Sequence, residues 1–401
     1  MKGLNGLKKL LLLSSTLLFS SSELVNVLSN NQNALIDTKK DKIEVDTKKL
    51  ENSWINPIRV QYGKNYSTQF NSTTGTGQFI ISVDQPIFKM GGIWEAIKYA
   101  KALGEANSID IELQRRGLIT KALTLLYNIK KSNLQIEKLN LLIKNDELDI
   151  LIQKESYEAG VTNRTLYDRA LLKRNQDITS KLELELQITK LKNDFSLLSD
   201  KSPETITLPN FTMIDKDRYK STQLELKRDA LHVEEKRHNK YMVVTKYLPE
   251  ISVTGRYINE DKNPLFANSK IKTEYYNYGF KVSLPININS YRDIESSKID
   301  YINAKISLEE QKKKVENRYN LVKKRLEIID QKIALSIDDA QNYASMLRVA
   351  QESEEIGDST NYDTQIVENN LRVRELDQDI YRYDAQLELL SLYEKVEGVL
   401  E

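Results

Sequence analysis

The stretch Phe79-Ile-Ile-Ser-Val-Asp-Gln-Pro-Ile-Phe-Lys-Met-Gly-Gly92 decides the fold of this chain. In its first half, apolar Phe79, Ile81 and Val83 alternate with polar residues, which is the period of a strand with one apolar face. Pro86 has no N–H to donate to a sheet, so the sequence predicts that the strand stops there. The two final glycines relax the backbone, and the residues after them have the composition of a very long helix.

The same pattern occurs a second time. Alternating apolar residues are followed by a proline and another long helical run; they are Tyr276, Tyr278, Phe280, Val282 and Leu284, before Pro285. Val83-x-x-Pro86 superposes on Val282-x-x-Pro285 without a gap, so each repeat covers about half of the chain. We therefore predict two structural repeats, residues 23–215 and 216–401, each with a helix, two strands and a long helical hairpin.

Composition excludes several function classes. The chain has 401 residues with 29% charged residues, 14 glycines, 7 prolines and a formal net charge of +1, which favours long helices and indicates no nucleic-acid partner. It has no cysteine and only two histidines, so thiol chemistry, disulfides and thiolate metal sites are excluded. No nucleophile elbow, P-loop or dinucleotide-binding motif occurs. We expect no enzymatic activity, no catalytic residue, no cofactor and no metal site.

The N-terminus has the pattern of an export signal. Lysines precede a short apolar run, Leu10 to Phe19, and small residues follow at Ser20 to Ser22. This run is too short to span a bilayer as a helix. The sequence predicts a cleaved signal peptide, residues 1–22, and an exported mature chain.

The rest of the first half contains few breaks. We predict a helix over residues 23–53, a strand from Trp54 to Tyr62 and a solvated loop from Gly63 to Gly77, because that segment is rich in Ser, Thr, Asn and Gly. No proline occurs between Ile87 and Ser202, and a helix from Ile93 towards residue 158 would be ~100 Å long. Gly160 is the natural turning point of the helical hairpin.

The second half ends in a matching hairpin, with Gly357 in the place of Gly160. Its first arm carries a series of apolar residues with steps of mostly three and four, which predicts a coiled-coil seam with local unwinding at Ile337. The series is Val315, Tyr319, Val322, Leu326, Ile329, Ile333, Ile337, Ala340, Ala344 and Leu347.

The strands indicate the wall of a transmembrane barrel. Their apolar residues share one face, and aromatic residues gather at their ends. An open sheet edge in lipid leaves backbone groups unpaired, so a barrel must close. Four strands are too few for closure, and several chains must therefore contribute strands to one barrel.

Together these features resemble the TolC-like outer-membrane factors of bacterial efflux and type I secretion. The run Val83–Gly92 looks like the strand-to-helix junction of that family, and Gly160 and Gly357 stand where its hairpin turns fall. The resemblance covers essentially the whole mature chain. At the second junction, however, the glycine pair is absent, and Ser359 replaces an arginine that is common after the second turn.

The resemblance implies a mainly α-helical homotrimer with an outer-membrane β-barrel of twelve strands and a periplasmic α-helical tunnel. Its partners would be outer-membrane lipid, a periplasmic adaptor protein and an inner-membrane transporter. Lipid-facing positions would be Phe79, Ile81, Val83, Tyr278, Phe280 and Val282. Strand–helix junctions would lie at Pro86, Gly91, Gly92 and Pro285, and adaptor contacts at Gly160 and Gly357.

The resemblance also implies a gate at the second hairpin turn. Asp363 matches the acidic position six residues after the turn glycine, and three-fold symmetry would form a ring of carboxylates that favours cations. Asp358 would add a second ring, and Tyr362 would pack between hairpins. An aspartate beside a helix start is also an ordinary capping residue, so this alternative stays open.

Two other readings explain less of the sequence. An exported coiled coil without a pore, with a structural or adaptor role, accounts for the proline-free segments but not for the duplicated alternating strands. An enzyme would need a motif that the many carboxylates do not form, since acidic runs on long helices are usually solvated. The cargo is not encoded in these patterns.

Overall fold

The computed structural model describes residues 27–69, 71–261, 273–357 and 360–398. The helices are α1 (Asn30–Glu51), α2 (Gly92–Glu158), α3 (Arg164–Ser196), α4 (Lys216–Ser221), α5 (Leu224–Thr245), α6 (Ser290–Glu355) and α7 (Asn361–Tyr393). The strands are β1 (Arg59–Gln69), β2 (Ser72–Phe88), β3 (Glu250–Glu260) and β4 (Thr273–Ser283). Helix, two strands and helical hairpin therefore follow one another in each half. The predicted signal peptide, residues 1–22, lies outside the described residues.

Two helices dominate the chain. α2 has 67 residues and α6 has 66, since neither contains a proline. Each ends two residues before a glycine, Gly160 or Gly357, and a helix of 33 residues returns from each turn. Among the described residues, no helix has both the length and the apolar character that crossing a membrane requires.

The four strands form one antiparallel sheet in the order β1-β2-β3-β4. Each half of the chain supplies one hairpin, and the hairpins join where β2 pairs with β3. The register runs without interruption from Arg59–Ser82 to Gln69–Ser72 in the first hairpin. β1 and β4 are consequently the two edges of the sheet.

The first hairpin differs from its prediction at both ends. Within the segment Gly63 to Gly77, expected as a loop, residues 63–69 form the distal part of β1 and residues 72–77 the distal part of β2. Polar side chains do not prevent a strand whose backbone groups are paired in a ladder. Conversely, Trp54 to Pro57 precede β1 and are not part of it.

Pro86 does not end its strand, contrary to the prediction. β2 continues to Phe88, with an irregularity in register between Pro86 and Phe88. Pairing with β1 ends at Ser82, so the last part of β2 is paired with β3 alone. A strand with one open edge, or a bulge, tolerates a proline because a ladder hydrogen bond need not be lost.

The chain divides into two compact units, each built from both halves. The sheet unit contains Ile36–Glu112 and Leu224–Lys314, and the hairpin unit contains the remaining segments. In the sheet unit, α5 is held to α2 by Arg228 Nη1, 3.0 Å from Asp110 Oδ1, and by His238 Nδ1, 2.7 Å from Glu95 Oε2.

The core of the hairpin unit surrounds α2 just after Leu113, the residue at which this helix enters the unit. Ile119, Leu123 and Tyr127 are at most 1% exposed. The extended connector before α4 packs there, since Phe211 contacts the ring of Tyr127. Backbone carbonyls of this connector accept hydrogen bonds from Tyr319 and Tyr393 on α6 and α7.

The packed face of α6 differs from the predicted seam after Ile333. Val315, Tyr319, Val322 and Ile329 are buried as expected, but Ser336 is buried in place of Ile337, which is 38% exposed. Ser336 Oγ donates a hydrogen bond to the carbonyl of Arg374 at 2.8 Å, which satisfies its hydroxyl. The alternation of three and four therefore continues without the predicted unwinding at Ile337.

Candidate functional site

The sheet has one apolar and one polar face. Residues that oppose each other across a ladder share a face, so the register aligns Tyr62 with Phe79, Ile81 with Tyr257, and Tyr257 with Tyr276. We call this side the apolar face; it contains Val60, Tyr62, Phe79, Ile81, Val83, Val253, Tyr257, Tyr276, Tyr278, Phe280 and Val282. All six residues predicted to face lipid lie on it.

Burial on this sheet is the reverse of that in a water-soluble sheet. On the apolar face, Tyr278 and Phe280 are 86% and 79% exposed. The buried residues of β3 are Ser252, Ile258 and Glu260, and the register places all three on the polar face. A contiguous exposed apolar surface of this kind marks contact with a partner or with lipid.

Several charged side chains on the polar face are ion-paired or hydrogen-bonded. Lys281 Nζ lies 2.6 Å from Asp84 Oδ2, and Gln78 donates to Glu260 at 2.5 Å. Arg59 and Arg256 also lie on this face, opposite Ser82 on either side. An unpaired guanidinium is costly in lipid, so the polar face is suited to water.

Both edges of the sheet are open within the described residues. β1 and β4 have 11 residues each, and each pairs on one side only. Such edges present rows of unpaired N–H and C=O groups that another chain can pair with. The sheet is therefore suited to joining further strands at both sides.

At the first strand–helix junction, two consecutive residues have positive φ. Met90 has φ 43° and Gly91 has φ 84°, a region that glycine adopts at little cost. Gly92 begins α2 and lies close to α5: a Cβ there would stand 2.5 Å from Thr245 Oγ1. The glycine pair thus provides both the turn and the close approach of two helices.

The second junction has a different construction. Pro285 follows β4 by two residues, in an extended segment that precedes α6. The side-chain oxygen of Asn287 accepts a hydrogen bond from the N–H of Asn289 at 2.8 Å. The backbone carbonyl of Asn287 accepts one from the N–H of Ser290 at 3.1 Å. A side-chain turn at Asn287 therefore starts this helix without a glycine pair.

The first hairpin turn is closed by backbone hydrogen bonds around Gly160, which has φ 73°. The N–H of Val161 donates to the carbonyl of Ser156 at 2.9 Å, and the N–H of Gly160 donates to that of Tyr157 at 3.0 Å. A left-handed residue after a helix, with bonds back into its last turn, is a common C-terminal cap.

The second turn is closed by a capping box. Gly357 has φ 81°, and Thr360 is the N-cap residue of the returning helix α7. The N–H of Asp363 donates to Thr360 Oγ1 at 3.3 Å, while the Asp363 carboxylate accepts from the N–H of Thr360 at 3.2 Å. Tyr362 is half-buried and Asp363 exposed. The predicted gate residue Asp358 lies outside the described residues.

A further hydrogen-bond network joins the two arms at this turn. Asn361 Nδ2 donates to Glu354 Oε1 at 2.7 Å, and Thr364 Oγ1 donates to the carbonyl of Ala350. Hydrogen bonding from Thr364, and then from Asn361, lowers the pKa of the Glu354 carboxyl group. The turn is therefore held by side chains from both helices.

The sequence analysis missed a polar ladder between α2 and α7. Lys131 lies 2.7 Å from Asp384, Lys138 lies 2.6 Å from Asp377, and Asn145 bonds to Asn370 at 3.0 Å. The rungs are one heptad apart on both antiparallel helices, so this spacing was the signal that could have revealed them. The ladder sets the register of the two helices.

The outer helices of the hairpin unit expose apolar side chains. Cross-helix contacts connect α3 to α2, α2 to α7, and α7 to α6, so α3 and α6 lie at its two sides. Leu182 and Leu186 on α3 are 58% and 71% exposed, and Leu321 and Leu335 on α6 are 52% and 66% exposed. Both sides are suited to packing against further helices.

No cluster of three or more metal-binding side chains occurs in the part of the chain that the structure describes. No family model matches the sequence, and no curated protein matches it.

Solved structures with the same fold include outer membrane channels. The VceC outer membrane protein of Vibrio cholerae is 12% identical, with a TM-score of 0.74 over 95% of this chain and 97% of that one. The CmeC outer membrane channel of Campylobacter jejuni is 13% identical, with a TM-score of 0.73 over 94% and 85%. The MtrE outer membrane channel of Neisseria gonorrhoeae, solved in an open state, is 11% identical, with a TM-score of 0.70 over 95% and 89%.

These likenesses extend over nearly the whole chain and confirm the expected mainly helical fold with four strands per chain, whereas the twelve-stranded trimeric barrel stays a prediction. The chain is mainly helical with one four-stranded antiparallel sheet, as TolC-like channels are. At such identities the comparison establishes the architecture shared with these channels.

Proposed function

We propose that this chain is the outer-membrane exit duct of a tripartite efflux or type I secretion system, with a tunnel in the periplasm. The observation that carries the proposal is the sheet, whose apolar face is exposed and whose polar face is partly buried. A barrel wall in lipid needs this arrangement, since apolar residues point outwards and polar residues line the lumen. The outer membrane channels of the same fold support it.

The open edges support an assembly of several copies, and the resemblance to TolC-like factors implies that their number is three. Lipid does not tolerate unpaired backbone groups, so β4 of one copy would pair with β1 of the next until the barrel closes. Three copies of the four-stranded sheet supply twelve strands. The exposed leucines of α3 and α6 would then pack between neighbouring copies and close the helical tunnel.

The proposed partners are a periplasmic adaptor protein and an inner-membrane transporter. The hairpin turns at Gly160 and Gly357 would contact the adaptor, and Tyr362 and Asp363 would line the constriction at the tunnel end. A duct without such partners would have no means of loading cargo. The similar CmeC and MtrE structures are outer membrane channels, which supports the duct itself.

Conductance decides between the duct and the exported coiled coil without a pore. The mature protein, purified in mild detergent, is expected to have the mass of a trimer and to form conducting channels in planar bilayers. Leu186→Asp places a charge on the exposed face of α3 and should prevent trimer formation, whereas Glu185→Asp should not. A folded monomer that is soluble without detergent and does not conduct would refute the proposal.

A further inference from the structure

The polar face of the sheet carries two arginines that form no ion pair with any residue the structure describes. Arg59 in β1 and Arg256 in β3 are both register partners of Ser82 in β2, and Asn277 follows in β4. We call these four residues the arginine rung. Because neighbouring strands are ~4.8 Å apart, the Cα atoms of the two arginines are about 10 Å apart.

The acidic residues of this face are held by other groups. Asp84 is bound by Lys281 at 2.6 Å, Glu260 accepts from Gln78 at 2.5 Å, and Glu250 lies 3.2 Å from Lys89. Neither arginine of the rung forms an ion pair with a described residue. Both side chains are exposed, so their guanidinium groups are available to a ligand.

We infer that the arginine rung is a selectivity element that binds passing anions and favours cargo with carboxylate, sulfate or phosphate groups. This inference rests on the proposed function, since closure by three copies turns two arginines per chain into a lumenal belt of six. The guanidinium group is always charged and matches such oxyanions with paired N–H donors. Within about one Debye length, ~10 Å at 0.1 M salt, the belt acts on ions in the lumen.

Ion selectivity tests the inference directly. The reversal potential of wild-type channels is measured across planar bilayers in a tenfold KCl gradient and compared with that of the double variant Arg59→Gln/Arg256→Gln. The ratio of chloride to potassium permeability should fall about threefold or more, because charges in the lumen act on both ions with opposite sign. Added sodium sulfate should reduce the current through wild type more than through the variant.

Three further variants complete the test. Lys64→Gln removes a cation from β1 on the apolar face and should leave selectivity unchanged. Ser82→Asp keeps both arginines but places a carboxylate between them, and should also lower the chloride preference. Arg59→Lys/Arg256→Lys preserves the charge and should keep most of the selectivity.

An unchanged permeability ratio in Ser82→Asp and in the double glutamine variant overturns the inference. If the double glutamine variant does not assemble, the single variants Arg59→Gln and Arg256→Gln decide, because each removes one charge of the rung. A larger effect of Lys64→Gln would show that the faces of the sheet are reversed, which also refutes it. Wild type that forms no channel contradicts the proposed function instead.

Discussion

The lipid-facing role of the apolar face can be tested by a single substitution at Phe280. This residue is 79% exposed in one chain and lies opposite Val253 of β3 on the apolar face. In the proposed barrel almost the whole side chain meets lipid. Phe280→Arg should therefore lower the free energy of unfolding by ~2–4 kcal/mol, the cost of an arginine near the bilayer midplane.

The size of the stability loss in Phe280→Arg distinguishes a side chain in lipid from one in water. A substitution at an exposed position in water usually changes stability by no more than about 0.5 kcal/mol. A loss of ~2–4 kcal/mol corresponds to a change of about 30- to 700-fold in the unfolding equilibrium. The two environments therefore predict results that do not overlap.

Gly279→Arg is the matched control. Gly279 immediately precedes Phe280 in β4 and lies on the polar face, where an added Cβ has no atom within 4 Å. Both variants and wild type would be unfolded by denaturant in lipid vesicles at one protein concentration, with heat-modified gel migration as a second readout. Equal stabilities of Phe280→Arg and Gly279→Arg, both within about 0.5 kcal/mol of wild type, would refute the assignment.

Two further predictions concern the hairpin unit. Gly160→Ala forces a left-handed alanine at φ 73° and should lower stability by ~1–2 kcal/mol, whereas Gly117→Ala within α2 should not; urea midpoints distinguish them. Hydrogen bonding from Lys216 lowers the pKa of the Glu316 carboxyl group below its usual 4.5. The pair of Lys216 and Glu316 therefore stabilises the folded chain above pH 4.5, and this stabilisation is lost as the pH falls through the lowered pKa. Glu316→Gln should therefore lower Tm at pH 7, and a difference from wild type that persists at pH 2 would contradict this.

The helical part of the fold is predictable because its signals are local. A proline-free segment can continue as one helix, and a glycine with positive φ ends it, so α2 was placed within a residue or two of its observed ends. Because the sequence pattern repeats, the same signals predict α6 in the second half. None of these steps requires knowledge of what packs against the helices.

The extent of the strands is less predictable because it depends on their neighbours. Residues 63–69 and 72–77 are mostly polar, and the pairing of β1 with β2 keeps them in a sheet. Pro86 is tolerated because β1 pairing has already ended at Ser82. Sequence patterns record side-chain preferences, whereas these outcomes follow from which backbone edges are occupied.

Packing registers also depend on partners. Ile337 is more apolar than Ser336, but Ser336 occupies the packed position because the carbonyl of Arg374 accepts its hydrogen bond. Asp146 is a second polar residue that is buried beside a partner. Burial raises the pKa of its carboxyl group, and Lys173 from α3 contacts it. Polar groups of this kind enter a core only where a partner exists, and one sequence does not show the partner.

The predicted gate residue Asp363 combines two roles that one substitution cannot separate. Its carboxylate completes the capping box with Thr360, which explains an aspartate here without any gate. The side chain is nevertheless exposed at the second hairpin turn, where three copies of the proposed trimer would bring their carboxylates together. Capping needs an acceptor oxygen, whereas a cation-binding ring needs the negative charge.

Asp363→Asn and Thr360→Ala therefore test the two roles separately. The asparagine keeps an acceptor oxygen for the N–H of Thr360 but removes the charge, so a ring predicts weaker block by divalent cations with little change in stability. Thr360→Ala keeps the charge but removes the cap, and should lower stability by ~0.5–2 kcal/mol while block is retained. Single-channel recordings with added Mg²⁺ and denaturant unfolding measure the two effects. Unchanged block in Asp363→Asn would leave Asp363 with the capping role alone.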